Sequence, residues 1–201
     1  MNSFDDLIYE KKNALESKVC EDIIQRFRHD DRKFQGVTTS GQVEIEIKKS
    51  MDLPISNYDE WEDIDRILFA SLAENLEEYS KTIIRIIDQP LWPERLKDNG
   101  YNVKRYREGD YYHWHVDAQV ERDGWTRTIA CIWYLNEVEE GGDTEFAYGR
   151  SIHPETGKLL LFPATWNFPH RGTPPKRGNK YIVTSFVSAY QEVLMMNANA
   201  K

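Results

Sequence analysis

In YYHWHVDA, residues 111–118, two histidines and an aspartate occupy every second position of a chain that holds five histidines in all. Alternate side chains of an extended strand share a face, so His113, His115 and Asp117 are expected to point the same way. Tyr112, Trp114 and Val116 are then expected to point the other way, into packing. Downstream, in FPATWNFPHRGTPPKRGNKYIVTSF, His170 follows an apolar run and a proline, and Lys180 stands on what reads as the next strand. Two imidazoles and a carboxylate suit ferrous iron, which such a set binds on one triangular face with the remaining positions open. A closed zinc site would need a fourth protein ligand or a single water, and no cysteine is near in sequence. The open positions would admit a bidentate organic acid and dioxygen side by side, and Lys180 would supply a cation for the acid's far carboxylate.

Plainer readings stand beside these. An H-x-D triplet is common by chance. His113 reads as an ordinary strand histidine, His153 in SIHPETG as a turn residue, and Lys180 as a solvated strand lysine with Arg177 its rival. The metal reading prevails because a carboxylate buried without a partner costs on the order of several kcal/mol.

These residues need a scaffold. The first ninety residues read mainly as helix. Val19, Ile23, Ile24 and Phe27 recur at helical spacing, and Trp61, Ile64, Leu68, Leu72, Leu76, Tyr79, Ile83 and Ile87 make a longer apolar stripe. Core packing is the reading of that stripe. Ser56 with Asp59 resembles a capping box, and Pro90 and Pro93 close the helix. Between the helices, Val43 to Ile47 alternates after Gly36 and Gly41, which reads as an edge strand beside a mobile segment from Gly36 to Ile55. From Tyr101 onward short strands are expected in YNVKRYR, YYHWHVD, TRTIACIWYLN, DTEFAYG, KLLLFPA and KYIVTSFVSAY. Gly141-Gly142 is expected to form a hairpin turn, with further turns in HPETGK and KRGN. Helices followed by many short strands predict an α+β chain whose core is a double-sheet jelly roll buttressed on one face by helices.

With these elements in place, residues 106–187 resemble the prolyl-4-hydroxylase-like family of Fe(II)/2-oxoglutarate dioxygenases. The resemblance rests on four ordered blocks: YREGDYYHWHVDAQ, RTIACIWYLNEVEEGGDTEF, LLLFPATWNFPHRGTPPKRGNKY and IVTSFV. It implies a double-stranded β-helix (jelly-roll, cupin-like) core over residues 96–190, with residues 1–95 as helical support and flap of a single domain. It implies that His115, Asp117 and His170 bind the iron and that Lys180 binds the distal carboxylate of 2-oxoglutarate. Tyr106 would line the co-substrate pocket, Tyr134 would lie near the same carboxylate, and Arg127 would face the substrate, as in some relatives. Asp143 stands where many members carry Glu, and Gly172 replaces a usual β-branched residue. The implied reaction hydroxylates a substrate, foremost a prolyl residue of a peptide or protein, with release of succinate and carbon dioxide; ascorbate is the implied reductant.

Composition restricts the alternatives. A net charge of −8 argues against a broad nucleic-acid footprint. An oxidative nucleic-acid demethylase also uses H-x-D and a distal histidine, but typically carries paired arginines after it, where this chain reads KRGNKY. A non-catalytic jelly-roll binding module is the reading from another class. Cys20 and Cys131 are far apart and fit two buried thiols in a reducing compartment. The start MNSFDDLIYEKK shows no signal-peptide pattern, and no apolar run is long enough to span a membrane, so a cytoplasmic protein without membrane partner is expected.

Overall fold

The computed structural model describes residues 4–38, 40–87, 92–120 and 124–190. Two helices, α1 (Ser17–His29) and α2 (Glu62–Ile87), precede most of the strands. In chain order the strands are β1 (Tyr9–Lys11), β2 (Phe34–Gln35), β3 (Met51–Pro54), β4 (Leu96–Asp98), β5 (Asn102–Tyr106) and β6 (Tyr112–His115). They continue with β7 (Trp125–Tyr134), β8 (Thr144–Phe146), β9 (Ser151–Ile152), β10 (Leu159–Pro163), β11 (His170–Gly172) and β12 (Lys180–Tyr190). Among the described residues these form a major sheet, β1-β10-β7-β12-β5-β3-β2 with β4 beside β12, and a minor sheet, β6-β11-β8-β9. Neighbouring strands are antiparallel, as the jelly-roll expectation requires.

Period-two alternation assigns each face of the major sheet. Val103, Ile129, Cys131, Trp133, Leu159, Leu161 and Val183 pack under the helices with Ile23, Phe27, Ile64, Leu68 and Tyr79. Their alternates, among them Tyr106, Ala130, Ile132, Leu160, Phe162 and Ile182, pack between the sheets with Phe146 and Phe168. The unbroken apolar run Leu159–Phe162 follows directly, because β10 is buried on both faces. Trp133 ties the layers together: it is fully buried and its indole N–H donates to Ser71 Oγ at 3.1 Å. Trp133→Ala is expected to cost ~3–5 kcal/mol, a large share of a domain's ~5–15, and to lower the urea midpoint accordingly.

Several expectations need correction. The first ninety residues are mainly helix as expected, but they also send three strands, β1, β2 and β3, into the major sheet. Val43 to Ile47 is no edge strand. Glu44 accepts hydrogen bonds from Thr38 and Ser40, and its carbonyl takes the amides of Ile47 (2.8 Å) and Lys48 (2.9 Å), which coils the segment into a turn. With no sheet to pack on, Val43, Ile45 and Ile47 stay exposed. Gly141-Gly142 does not close a hairpin either, because β7 and β8 lie in different sheets and the glycines sit on the crossover between them. Their positive φ (72° and 75°) serves that crossover, where Gly142 N–H donates to Pro174 O at 3.1 Å.

Ser56 does not cap α2, which starts at Glu62 after two short 3₁₀ turns. Its hydroxyl instead donates to Asp65 and accepts from Tyr101 N–H at 2.8 Å. In the long stripe Leu76 and Ile83 are only partly buried, while the Ile87 side chain and Pro90 lie outside the described residues. Both cysteines are buried free thiols. No described helix is long and apolar enough to cross a membrane.

Candidate metal and co-substrate site

The register of the minor sheet brings His115 on β6 opposite His170 on β11. Between that pair and the next, Tyr112 opposite Gly172, β6 spends one residue more than β11. This β-bulge breaks the simple alternation expected for YYHWHVD. It turns Tyr112 to the same side as His115, where the two rings stack 3.5 Å apart. His113 and Trp114 are left exposed, the indole under the Arg171 guanidinium. The predicted packing row of Tyr112 and Trp114, on the face opposite His115, is therefore wrong, and so is the predicted place of His113 beside His115 and Asp117.

Asp117 lies just past β6 and is 8% exposed. Its Oδ1 is 3.7 Å from His115 Nε2 and its Oδ2 is 3.4 Å from His170 Nε2. Both imidazoles face it in a fixed orientation. His115 Nδ1 lies 2.7 Å from the His113 carbonyl and His170 Nδ1 3.0 Å from the Phe168 carbonyl; a carbonyl only accepts, so each Nδ1 carries the proton. Burial pushes His115 down to about 3, so its ring is neutral and Nε2 offers a lone pair toward a carboxylate. An electron pair aimed at an anion in a buried place is unfavourable unless a cation lies between. One ligand atom from each of the three residues lies within 4.8 Å of the others, a fit for a single ion. The backbone carbonyls behind each ring are the outer supports that such ligands normally have.

From this cluster a cavity runs between the sheets, lined by Tyr106, Tyr112, Ile132, Thr144, Ile182 and Phe186 among others. At its more enclosed end Lys180 is 3% exposed. Its ammonium donates to Gly142 O at 2.6 Å and lies 5.6 Å from the Tyr106 ring and 5.5 Å from the Tyr134 ring. Desolvation pushes Lys180 down to about 8. Its rival Arg177 is on the surface, paired with Glu139 at 2.8 Å. Tyr106, paired with Lys180 across β5 and β12, is on the cavity wall. Tyr134 is buried against Lys180, its hydroxyl donating to Thr144 Oγ1 at 2.7 Å, and it does not line the cavity.

Arg127 stacks its guanidinium 4.1 Å from the Phe186 ring and is not on the cavity wall itself. Asp143 accepts from His153 Nδ1 at 2.6 Å, which gives His153 a surface role away from the cluster. Sequence reasoning missed Tyr112, hidden by the bulge, and Thr144. It also missed Lys104, although Lys104 stands two residues before Tyr106 on β5 and shares its face.

Residues 101–188 match the model of the 2OG-Fe(II) oxygenase superfamily. The chain is 30% identical over 119 residues to Arabidopsis thaliana "Probable prolyl 4-hydroxylase 3", a match covering 44% of this chain and 42% of that protein. A match to Arabidopsis thaliana "Probable prolyl 4-hydroxylase 9" is 25% identical over 122 residues and covers 42% of that protein. The chain thus spans about two fifths of the length of these curated relatives. Among solved structures, a prolyl hydroxylase from Trichoplax adhaerens, in complex with a hypoxia inducible factor oxygen degradation domain peptide fragment, superposes with a TM-score of 0.72. That match has 18% identity and covers 90% of this chain and 83% of that one. The viral collagen prolyl hydroxylase of Paramecium Bursaria Chlorella virus-1, in its 2OG complex, gives a TM-score of 0.67 at 18% identity, covering 92% and 97%. At these identities the likeness is one of fold.

Proposed function

We propose that the chain, whose residues 101–188 match the model of the 2OG-Fe(II) oxygenase superfamily, is an Fe(II)- and 2-oxoglutarate-dependent dioxygenase that hydroxylates a prolyl residue in a peptide or protein. One observation carries the reading: a His115–Asp117–His170 cluster suited to iron and a buried ammonium, Lys180, open onto one cavity. When bound, the iron supplies the redox chemistry that couples oxidative decarboxylation of 2-oxoglutarate, to succinate and carbon dioxide, with insertion of oxygen into the substrate. The chain's own share is geometric. His115, Asp117 and His170 hold the metal on one side only. Lys180 binds the distal carboxylate, Tyr106 walls the co-substrate, and Tyr134 fixes the depth of Lys180 from behind. Ile132, Ile182 and Phe186 give the cavity an apolar lining that excludes water. Arg127 stacks on Phe186 and contacts the substrate from there.

The prolyl substrate is supported by the names of the curated relatives and by the peptide in the Trichoplax complex. Of the segment expected as a flap, Gly36 to Ile55, the last part is taken up by β3 and the turn after it, and residues 36–50 between β2 and β3 act as the flap. Their outgoing arm is pinned to β6, with His113 N–H donating to Ile47 O and Lys49 N–H to Tyr111 O, so the peptide meets the exposed Val43, Ile45 and Ile47 instead of extending β6. Ascorbate serves as reductant. Residues 1–201 work as one catalytic unit, and two buried free thiols support a reducing, cytoplasmic setting. The experiment is a panel of proline-rich peptides, free proline and methylated oligonucleotides, read by succinate release and a one-oxygen mass gain. Turnover of peptide is expected; turnover of oligonucleotides alone overturns the prolyl assignment.

Affinity for 2-oxoglutarate is expected to depend on pH through Lys180. Its pKa without ligand is depressed to about 8, and the bound dianion favours the ammonium and raises it. Binding is therefore strongest below about 8 and weakens as pH rises through that value. Calorimetric titrations from neutral to alkaline pH would read this fall; equal affinity across the range would contradict it.

A further inference from the structure

Lys104 is the charged group on the cavity wall for which the reaction above has no use. On β5 it pairs opposite Ile182, one inward-facing step along from the Tyr106–Lys180 pair. That step leads away from the enclosed end, because inward residues of β12 pass from buried at Lys180 and Ile182 to partly exposed at Thr184 and Phe186. Lys104 thus sits on the substrate side of the metal cluster, with its side chain 13% exposed.

Its ammonium is poorly served. The nearest anion is Asp52, at 4.0 Å from Oδ2, and that oxygen already accepts Lys48 Nζ at 2.8 Å. Asp52 Oδ1 accepts Ser50 Oγ at 2.7 Å. Lys48 is 2% exposed and also donates to Val37 O at 2.9 Å, so it cannot leave this carboxylate to Lys104. The packing is tight: a Cβ on Gly36 would overlap Ser50 Oγ and stand 2.8 Å from Asp52 Oδ1. Two ammoniums share one carboxylate beside the cavity, which leaves one positive charge in excess. Asp117, the other anion there, faces the two imidazoles. A sequestered ammonium without its own anion is costly, and a ligand that brings one relieves the cost.

We propose that Lys104 binds a carboxylate of the substrate, so that the oxidised residue carries a free α-carboxylate or lies beside an acidic side chain. The proposal rests on the oxygenase reading of this site and narrows its substrate class. A single excess charge matches a monoanionic carboxylate better than a phosphate dianion. The cavity is more enclosed at the Lys180 end, where β12 is buried, so the carboxylate enters from the opposite side, past Lys104.

The test is calorimetry on the protein loaded with Mn(II) and 2-oxoglutarate, which binds without turning over. The probes are N-acetylproline against N-acetylprolinamide, Glu-Pro amide against Gln-Pro amide, and N-acetylglycine against N-acetylglycinamide. At least one acid should bind about tenfold tighter than its neutral partner, as a charged hydrogen bond gives. Lys104→Met should remove that preference and Lys104→Arg should retain part of it. A preference in the first pair marks an α-carboxylate, and in the second an acidic neighbour. A preference confined to the glycine pair keeps the Lys104 assignment while refuting proline as target. Equal binding within every pair, or a preference that survives in Lys104→Met, overturns it. So does a loss of 2-oxoglutarate affinity in Lys104→Met as large as that in Lys180→Ala. Should Lys104→Met not fold, the acid-to-amide ratios of the wild type and of Lys104→Arg decide.

Discussion

Replacing any one of His115, Asp117 or His170 by Ala is expected to abolish stoichiometric Fe(II) binding, and with it turnover, while His113→Ala keeps both. The expectation follows from the bulge in β6, which sends His115 into the cavity and leaves His113 exposed. With three protein ligands, losing one leaves a pair of donors on an ion that water then coordinates freely. Loss of a mere outer support would cost only about 10–100-fold, so the size of the effect separates the two roles. Anaerobic titration followed by iron quantification after desalting reads it. Asp117→Ala carries a second signature. Removing a buried carboxylate that faces imidazole lone pairs should not destabilise the metal-free protein, whereas added Mn(II) should raise the melting temperature of wild type and not of this variant. Iron retained by His115→Ala and lost by His113→Ala would reverse the assignment.

Lys180→Ala is expected to weaken 2-oxoglutarate by about 10- to 150-fold, the equivalent of ~1.5–3 kcal/mol for a lost charged hydrogen bond. Lys180 donates to Gly142 O between two tyrosine rings. The ammonium is thus held at a fixed depth, and Lys180→Arg should recover only part of the loss because the planar fork is larger. Metal binding should persist in Lys180→Ala. Arg177→Ala should leave 2-oxoglutarate affinity unchanged, since that side chain pairs with Glu139 at the surface. Unchanged affinity in Lys180→Ala would remove Lys180 from the co-substrate site.

Much of the scaffold is legible in the residues themselves. The helical stripe from Trp61 to Ile83, the doubly buried run in β10 and the long alternations of β7 and β12 each name their partner surface by period alone. What escapes is set by pairing. β11 is three residues long and β2 only two, too short for any periodicity, and they exist because neighbouring edges hold them. The Val43–Ile47 alternation misleads because Glu44 satisfies local hydroxyls and amides, a contest that hydrophobic period does not register.

At the site, the residue types and their order point to His115, Asp117, His170 and Lys180. Convergence of the first three depends on the β6–β11 register and its bulge, which no spacing rule supplies. Lys104 is the opposite case. Its alternation with Tyr106 was readable, and its significance appears only once Lys48 is seen to occupy Asp52.

The most direct test of the central claim, that one cavity joins an iron triad to a 2-oxoglutarate anchor, is succinate formation by purified protein supplied with Fe(II), 2-oxoglutarate, ascorbate and a proline-bearing peptide. Succinate equimolar with oxygen added to the peptide, abolished in Asp117→Ala and restored at high 2-oxoglutarate in Lys180→Ala, is the predicted result. Succinate at the level of the protein-free blank, or equal in wild type and Asp117→Ala, would contradict it.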